Sequence, residues 1–403
     1  MNSPFDVVVA GAGPAGAVTA LRLARAGLRV AAVDRAVFPR DKICSEYMSP
    51  EGVRHLDTLG LLAQVERQGG CAIRGTTVYA AKGSSLTGLF ARTAPPPFRE
   101  TGLSVSRRIL DQTLVNAARE AGVEVMERTT VVGVLRHEKG LGGLLVRDHD
   151  DRVRELSARL TVGADGLRSL VAKAMNGSRT GRLRRYAFVA HIAGVSGLRD
   201  TAELHVGADG YVGLNPLGGG VANVALVVPQ DRARRAGGRT EAFFFEELAR
   251  FPGVHDRMRR DAMVREVLVT GPFAAWSRSV VTPGGLLVGD AADFFDPFTG
   301  EGICAALRGA ELVEDAARAA LEQPGIATRA ALRPYIAARR RAFLGKWIVE
   351  RAIGYAMLAP ALFDRAVSRL ERRGLAHTLI GVTGDFVPPG AVLNPVFLSQ
   401  VVF

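Results

Sequence analysis

The chain has 403 residues, of which 48% are hydrophobic and 23% charged, and a formal net charge of +12. These figures fit a globular protein of roughly two to three domains and exclude a disordered or fibrous one. Only five lysines occur, so the basicity is arginine dispersed along the chain. It fits a high-GC genome and leaves room for affinity to phosphates or acidic membranes, but no basic stripe interleaved with aromatics points to nucleic acid.

The first residues run directly into "FDVVVAGAG" with no cationic leader or cleavage site, so no signal peptide is expected. That apolar run reads as a strand buried on both faces of a parallel sheet. It meets Gly11-Ala-Gly13-Pro14-Ala15-Gly16, and a helix follows to Gly27, with Pro14 suited to its first turn. "LRVAAVD" is the second strand and ends on Asp34, with Arg35 beside it. Strand, glycine turn, helix, strand and acid stand in register for a dinucleotide. The glycines allow close approach of a pyrophosphate to the helix N-terminus, and Asp34 is placed for a ribose diol. Arg40 and Lys42 belong near the adenosine or on a solvated face.

Further along, "ILDQTLVNAAREA" (109–121) has helical spacing, and short β-like runs between 123 and 162 read as a strand and a meander. "TVGADGLRS" (161–169) is a strand ending in Ala-Asp165-Gly. Segment 184–275 is β-patterned, with one helix near "TEAFFFEELARF". The apolar run 285–288 delivers Gly289 and Asp290, a carboxylate placed to accept from the hydroxyls of a ribityl chain. Pro297 and the Gly300-Glu301-Gly302 turn then open an alanine-rich helix whose positive end, with Ile303 in its first turn, suits an anionic ring. The last segment, 326–403, reads as arginine-rich helix followed by an apolar tail containing proline. Its stretch 335–370 is read first as packing across the nucleotide domain. The second reading is an amphipathic surface that admits a lipophilic molecule.

Three widely spaced cysteines, Cys44, Cys71 and Cys304, fit a reducing compartment, and no apolar stretch reaches membrane-spanning length. A cytoplasmic protein is expected, with membrane contact at most peripheral. The histidines show no metal spacing, and no metal is expected.

The glycine turn with Asp34, the Asp165-Gly166 motif and "GDAADFFDPFTGEGI" resemble, in order and spacing, the FAD-dependent superfamily of p-hydroxybenzoate hydroxylase. Geranylgeranyl reductases and flavin-dependent halogenases belong to the same superfamily. In "SRRILDQTL", Arg107 looks like the arginine that helps hold FAD, and "FPRDKICSEYMSPEGVRHL" resembles the segment that brings a cysteine, here Cys44, near substrate. The resemblance covers residues 1 to about 320. It implies a mixed α/β fold of the p-hydroxybenzoate-hydroxylase-like type: a Rossmann-like FAD-binding domain (1–74, 101–175 and 276–325) interwoven with a β-sheet substrate domain (75–100 and 176–275). The helical C-terminal segment (326–403) follows.

The resemblance leaves the reaction open. Trp276 and Trp347 are the only tryptophans, so the Trp-x-Trp-x-Ile-Pro signature of halogenases is absent. "GYVGLNP" (210–216) keeps the Tyr211 and Pro216 of the reductases' aromatic run without its Trp and Phe, whereas Gly300-Glu-Gly302 leans toward the reductases. The first expectation is a monooxygenase of a hydrophobic aromatic or polyketide-like molecule, as in secondary metabolism. The alternative is a C=C reductase of an isoprenoid or quinone, and a further one is a non-redox flavoprotein that binds a reactive intermediate. NAD(P)H is expected to dock transiently as reductant, unless a separate protein donates electrons. Gly300-x-Gly302-x-x-Ala305 follows no strand and is rejected as a second nucleotide site. Candidate catalytic residues are Cys44, Tyr211 and Glu301. Glu301 is expected to face solvent beside the flavin in preference to donating a proton, and Tyr211 to pack in preference to bonding substrate.

Overall fold

A computed structural model describes residues 5–175 and 177–402. Residues 1–4, Asn176 and Phe403, where the first and last assigned segments begin and end, lie outside them.

The β-branched and alanine run Phe5–Ala10 forms the middle of an eight-stranded sheet. It pairs in parallel with Val30–Val33 on one side and Val153–Gly163 on the other. Gly285–Leu287 and Glu124–Met126 extend the parallel part outward. One face is covered by the helices Pro14–Arg25, Arg107–Glu120 and Gly302–Leu321, whose apolar faces share one core with Val7 and Val9. The other face, through Val8 and Ala10, packs on the antiparallel strand Gly140–Arg147 and the helix Leu170–Met175. Burial on both faces is why Val7–Ala10 and Val30–Val33 are continuously apolar.

A seven-stranded sheet stands beside it, with strands drawn from 75–89 and 185–270. Here alternation is visible. In Arg185–Ala193, Ala187 and Val189 face the C-terminal helices, while Phe188, Ala190 and Ile192 meet Phe243 and Phe244 of the helix Thr240–Leu248. That period-two split puts one apolar face toward the interior between the sheets and the other under its own helix.

The C-terminal part is helical: Arg329–Ala356, Pro360–Arg372, Ala376–Thr383 and Pro395–Val402. The apolar tail read at the sequence level is thus partly helix, begun by Pro395 at a position where a missing N–H costs nothing. The long helix Arg329–Ala356 packs on Gly302–Leu321 and roofs the space between the two sheets. No helix among the described residues is long and apolar enough to cross a membrane.

Candidate active site

A cavity of about 1000 Å³ runs between the sheets, from the first glycine turn to the long C-terminal helix. At its nucleotide end, Gly11 takes φ +93°, and a Cβ there would fall 2.5 Å from Ala164 O. A Cβ on Gly16 would sit 1.8 Å from Gly11 O. Both glycines are therefore demanded by the protein itself. Gly13 is not, since a Cβ there would meet only the guanidiniums of Arg40 at 3.6 Å and Arg107 at 3.8 Å. A bare backbone at the start of the Pro14–Arg25 helix, faced by two cations, is an anion cradle. Pro14 and Ala15 complete its lining.

Asp34 ends the second strand. Its carboxylate accepts from Ala12 N and Ala36 N, both at 2.9 Å, with Arg35 next to it on the cavity wall. Arg107 makes a two-pronged pair with Asp111 at 2.7 Å, and Arg40 reaches the same buried carboxylate at 3.0 Å. Arg40 and Lys42 both line the cavity. Asp290 projects from the short turn Gly289–Ala291 into the cavity, with Lys42 and Arg107 as its neighbouring cations. Asp165 lines the cavity too. Its oxygens are taken by Ser169 Oγ at 2.5 Å and Leu170 N at 2.6 Å, so the side chain shapes the turn that opens the Leu170–Met175 helix.

At the far end, Gly300 takes φ +73° and packs against Tyr47. A Cβ on Gly302 would find its nearest atom 4.0 Å away, so this backbone too is open to the cavity, with Pro297 and Ile303 flanking it. Glu301 differs from the expectation of a solvent-facing acid, being 3% exposed. The residue faces inward because Ser49 Oγ donates to its Oε2 at 3.1 Å and the Lys346 ammonium lies nearby. Its Oε1 is buried and has no hydrogen-bond partner, and neither does Lys346 Nζ. Burial raises the Glu301 carboxyl to about 7, with Lys346 pulling the other way.

Tyr211 donates its hydroxyl hydrogen to Asp296 at 2.5 Å, and Arg185 holds the other oxygen of that carboxylate at 3.1 Å. Asp296 also accepts from Phe298 N, so the three residues clamp the Pro297–Gly302 turn to the second sheet. Cys44 is half-buried on the cavity wall. Burial pushes its thiol up against the pull of Arg107, so at neutral pH it is a thiol and not a thiolate nucleophile. Cys304 is buried helix packing, and Cys71 lies away from the cavity.

Sequence reasoning missed the latch beneath Cys44. Glu46, at φ +58°, accepts from Arg107 N at 2.8 Å and Asn223 Nδ2 at 2.8 Å, and pairs with His191 Nε2 at 2.5 Å. Burial alone would raise this carboxyl, but these partners outweigh it and hold it below its ordinary value. Asn223 and Asn215 also donate to the carbonyls of Cys44 and Ser45. The loop bearing Cys44 is thereby tied to the seven-stranded sheet and to the start of the Arg107–Glu120 helix. Glu46→Ala is expected to cost about 2–4 kcal/mol in urea unfolding, because three partners would be left buried without it.

Among the described residues, no group of three or more His, Cys, Asp or Glu is placed to hold a metal. The two open glycines, the paired guanidiniums and the two strand-end acids fit an elongated dinucleotide with an anionic centre. A family model described as "FAD binding domain" matches residues 4–343. This chain belongs to that family. Among similar proteins, a menaquinone reductase of Mycolicibacterium smegmatis is 30% identical over 321 residues, covering 75% of this chain and 74% of that protein. A digeranylgeranylglycerophospholipid reductase of Methanococcoides burtonii is 26% identical over 339 residues, covering 82% and 78%. The flavin-dependent brominase Bmp2 superposes with a TM-score of 0.82 at 17% identity over 99% of this chain and 98% of its own, a likeness of fold. The chain is thus an FAD-dependent oxidoreductase by family, with the mixed α/β fold of the superfamily of p-hydroxybenzoate hydroxylase, geranylgeranyl reductases and flavin-dependent halogenases.

With FAD along the cavity, Asp290 would take the ribityl hydroxyls, and Gly13, Arg107 and Arg40 the pyrophosphate. Asp290→Ala is expected to weaken FAD retention by about tenfold, the loss of one or two charge-assisted hydrogen bonds. Titrating the apoprotein with FAD by flavin fluorescence checks it, and unchanged affinity would count against the assignment.

Proposed function

We propose that this protein reduces a carbon–carbon double bond in a lipophilic substrate of isoprenoid or quinone class. The observation that carries the reading is Glu301: a sealed carboxyl raised to about 7, with a free oxygen, on a residue lining the end of the cavity away from the first glycine turn. At neutral pH such a group holds a proton part of the time and can release it, the property a general acid needs. Bound and reduced, FAD would supply the hydride equivalent. Glu301 would then supply the proton to the second carbon of the bond, with Lys346 stabilising the carboxylate left behind. Leu204, Val227, Phe273 and Phe298 on the cavity wall exclude water and match an unsaturated chain or ring. The two reductases among the relatives support this reading.

Monooxygenation of an aromatic or polyketide-like molecule is the second reading, favoured by a different feature. Asn215 stands where the reductases' aromatic run has a Phe, and its Oδ1 is buried without a partner on the cavity wall. That acceptor suits a phenolic hydroxyl. In both readings NAD(P)H or a separate electron-donor protein acts from outside the cavity.

The experiment is anaerobic. The reduced enzyme is mixed with menaquinone or a geranylgeranyl lipid, and flavin reoxidation is followed by absorbance. Reoxidation with formation of the saturated product is expected without oxygen. Product formed only when oxygen is admitted would sink the reductase reading in favour of monooxygenation, and neither outcome would leave the non-redox flavoprotein.

A further inference from the structure

We infer that the outer face of the long C-terminal helix, with the turn after it, is a docking surface for an anionic lipid bilayer. The Arg329–Ala356 helix has two faces in use. Its inner face lines the cavity with Phe343, Lys346, Trp347 and Glu350. Its outer face is uncovered among the described residues and contrary in character to an ordinary surface helix. Every exposed position from Leu344 to Leu362 is apolar or tyrosine. Five are large: Leu344 (42% exposed), Ile348 (47%), Tyr355 (50%), Leu358 (53%) and Leu362 (58%). Leu344, Ile348 and Tyr355 share one helical face by their spacing, and Leu358 and Leu362 carry the stripe across the turn at Pro360.

The charges around the stripe have one sign. Every exposed charged residue between Arg329 and Leu370 is an arginine: Arg329, Arg333, Arg340, Arg341 and Arg365. The acids of this segment are withdrawn. Glu350 lines the cavity, and Asp364 accepts from Ser84 N and Oγ at 3.1 and 2.9 Å. An apolar stripe of this length is uncommon on a monomer's free surface unless something covers it. A bilayer interface fits, because leucine, isoleucine and tyrosine enter the acyl boundary while arginines stay among anionic headgroups. A second copy of this chain fits less well, because a two-fold contact would bring this arginine-bordered stripe onto itself.

The surface also touches the cavity wall. The Tyr355 ring packs on Phe295 with ring centroids 6.2 Å apart, the Arg351 guanidinium lies 5.1 Å from the same ring's centroid, and Phe295 lines the cavity. Docking would place the bilayer one helix thickness from the site, so a lipophilic substrate could pass between them. That last clause alone rests on the reaction proposed above.

The test is co-sedimentation of the FAD-loaded full chain with phosphatidylcholine vesicles, without and with about one-third phosphatidylglycerol. Binding at least about tenfold stronger to the anionic vesicles, and weakening with salt, is expected. A variant with Ile348→Glu, Leu358→Glu and Leu362→Glu should bind at least about tenfold more weakly. Arg340→Glu with Arg341→Glu should abolish the preference for anionic lipid. Retained FAD absorbance shows that the variants are folded. If the apolar variant loses FAD, the arginine variant and the salt dependence decide. Three results would overturn the proposal: no association of the wild type with either vesicle, charge-reversed protein binding as the wild type does, or a dimer broken by Ile348→Glu in a protein that binds no vesicle. The readout involves no turnover, so it fails or stands separately from the reaction.

Discussion

Glu301→Gln is expected to lower turnover by about a hundredfold or more while leaving FAD bound, the size of effect of losing a positioned general acid. Glutamine keeps the shape and can still accept from Ser49, but it carries no transferable proton. The same substitution has a second signature. The folded protein holds the Glu301 proton up to about pH 7, whereas an ordinary glutamate releases it near 4.5. The carboxyl's contribution to stability is therefore intact below about pH 4.5 and is lost as the pH rises through 7, on the order of 3 kcal/mol. In Glu301→Gln that loss should vanish, so the variant should be the more stable protein at pH 8 and show no advantage at pH 4. Urea unfolding at both pH values, beside steady-state turnover, separates a proton donor from a merely structural acid. A variant that turned over normally would remove the observation on which the reductase reading rests. One that lost activity but kept the wild-type pH profile of stability would contradict the raised pKa.

Glu301 also marks the limit of what the sequence revealed. The parallel strands and both glycine turns were legible because their causes are local. Continuous apolar runs, Pro14 after Gly13, and Asp34 and Asp290 at strand ends each carry their reason within a few residues. The burial of Glu301 has no local cause. Ser49 lies 252 residues before it, and Lys346 arrives on a helix that folds back over the turn. Tyr211 shows the same limit. Its pattern reads as packing, and the partner that fixes the ring, Asp296, is 85 residues away on the other sheet's turn. The Glu46 latch had no signal at all, because an acid between a serine and a tyrosine reads as nothing until Asn223 and His191 are beside it. The long helix reads as amphipathic, with packing as its first reading. It packs on one face and leaves the other bare, which a one-dimensional pattern does not reveal.

The glycines of the first turn should separate folding from cofactor binding, with an effect at least as large as that at Glu301. Gly16→Ala would place a methyl 1.8 Å from Gly11 O, with backbone on one side and Ala164 on the other. Nothing there can yield without moving the strand or the helix. The variant is expected to lose several kcal/mol and FAD together, as overpacking against backbone does at the upper end of its range. Gly13→Ala should behave differently. Its methyl meets only the ends of two flexible guanidiniums, and the φ of −69° at Gly13 suits any residue. Apoprotein stability should therefore change by no more than about 0.5 kcal/mol. FAD affinity, in contrast, should fall by about a hundredfold or more, because the methyl occupies the approach of the pyrophosphate to the helix N-terminus. Thermal unfolding of the two apoproteins and a flavin titration of Gly13→Ala measure both quantities. If Gly13→Ala bound FAD as the wild type does, the open backbone between Arg40 and Arg107 would not be where the pyrophosphate lies, and Asp34 and Asp290 would lose their assigned roles with it.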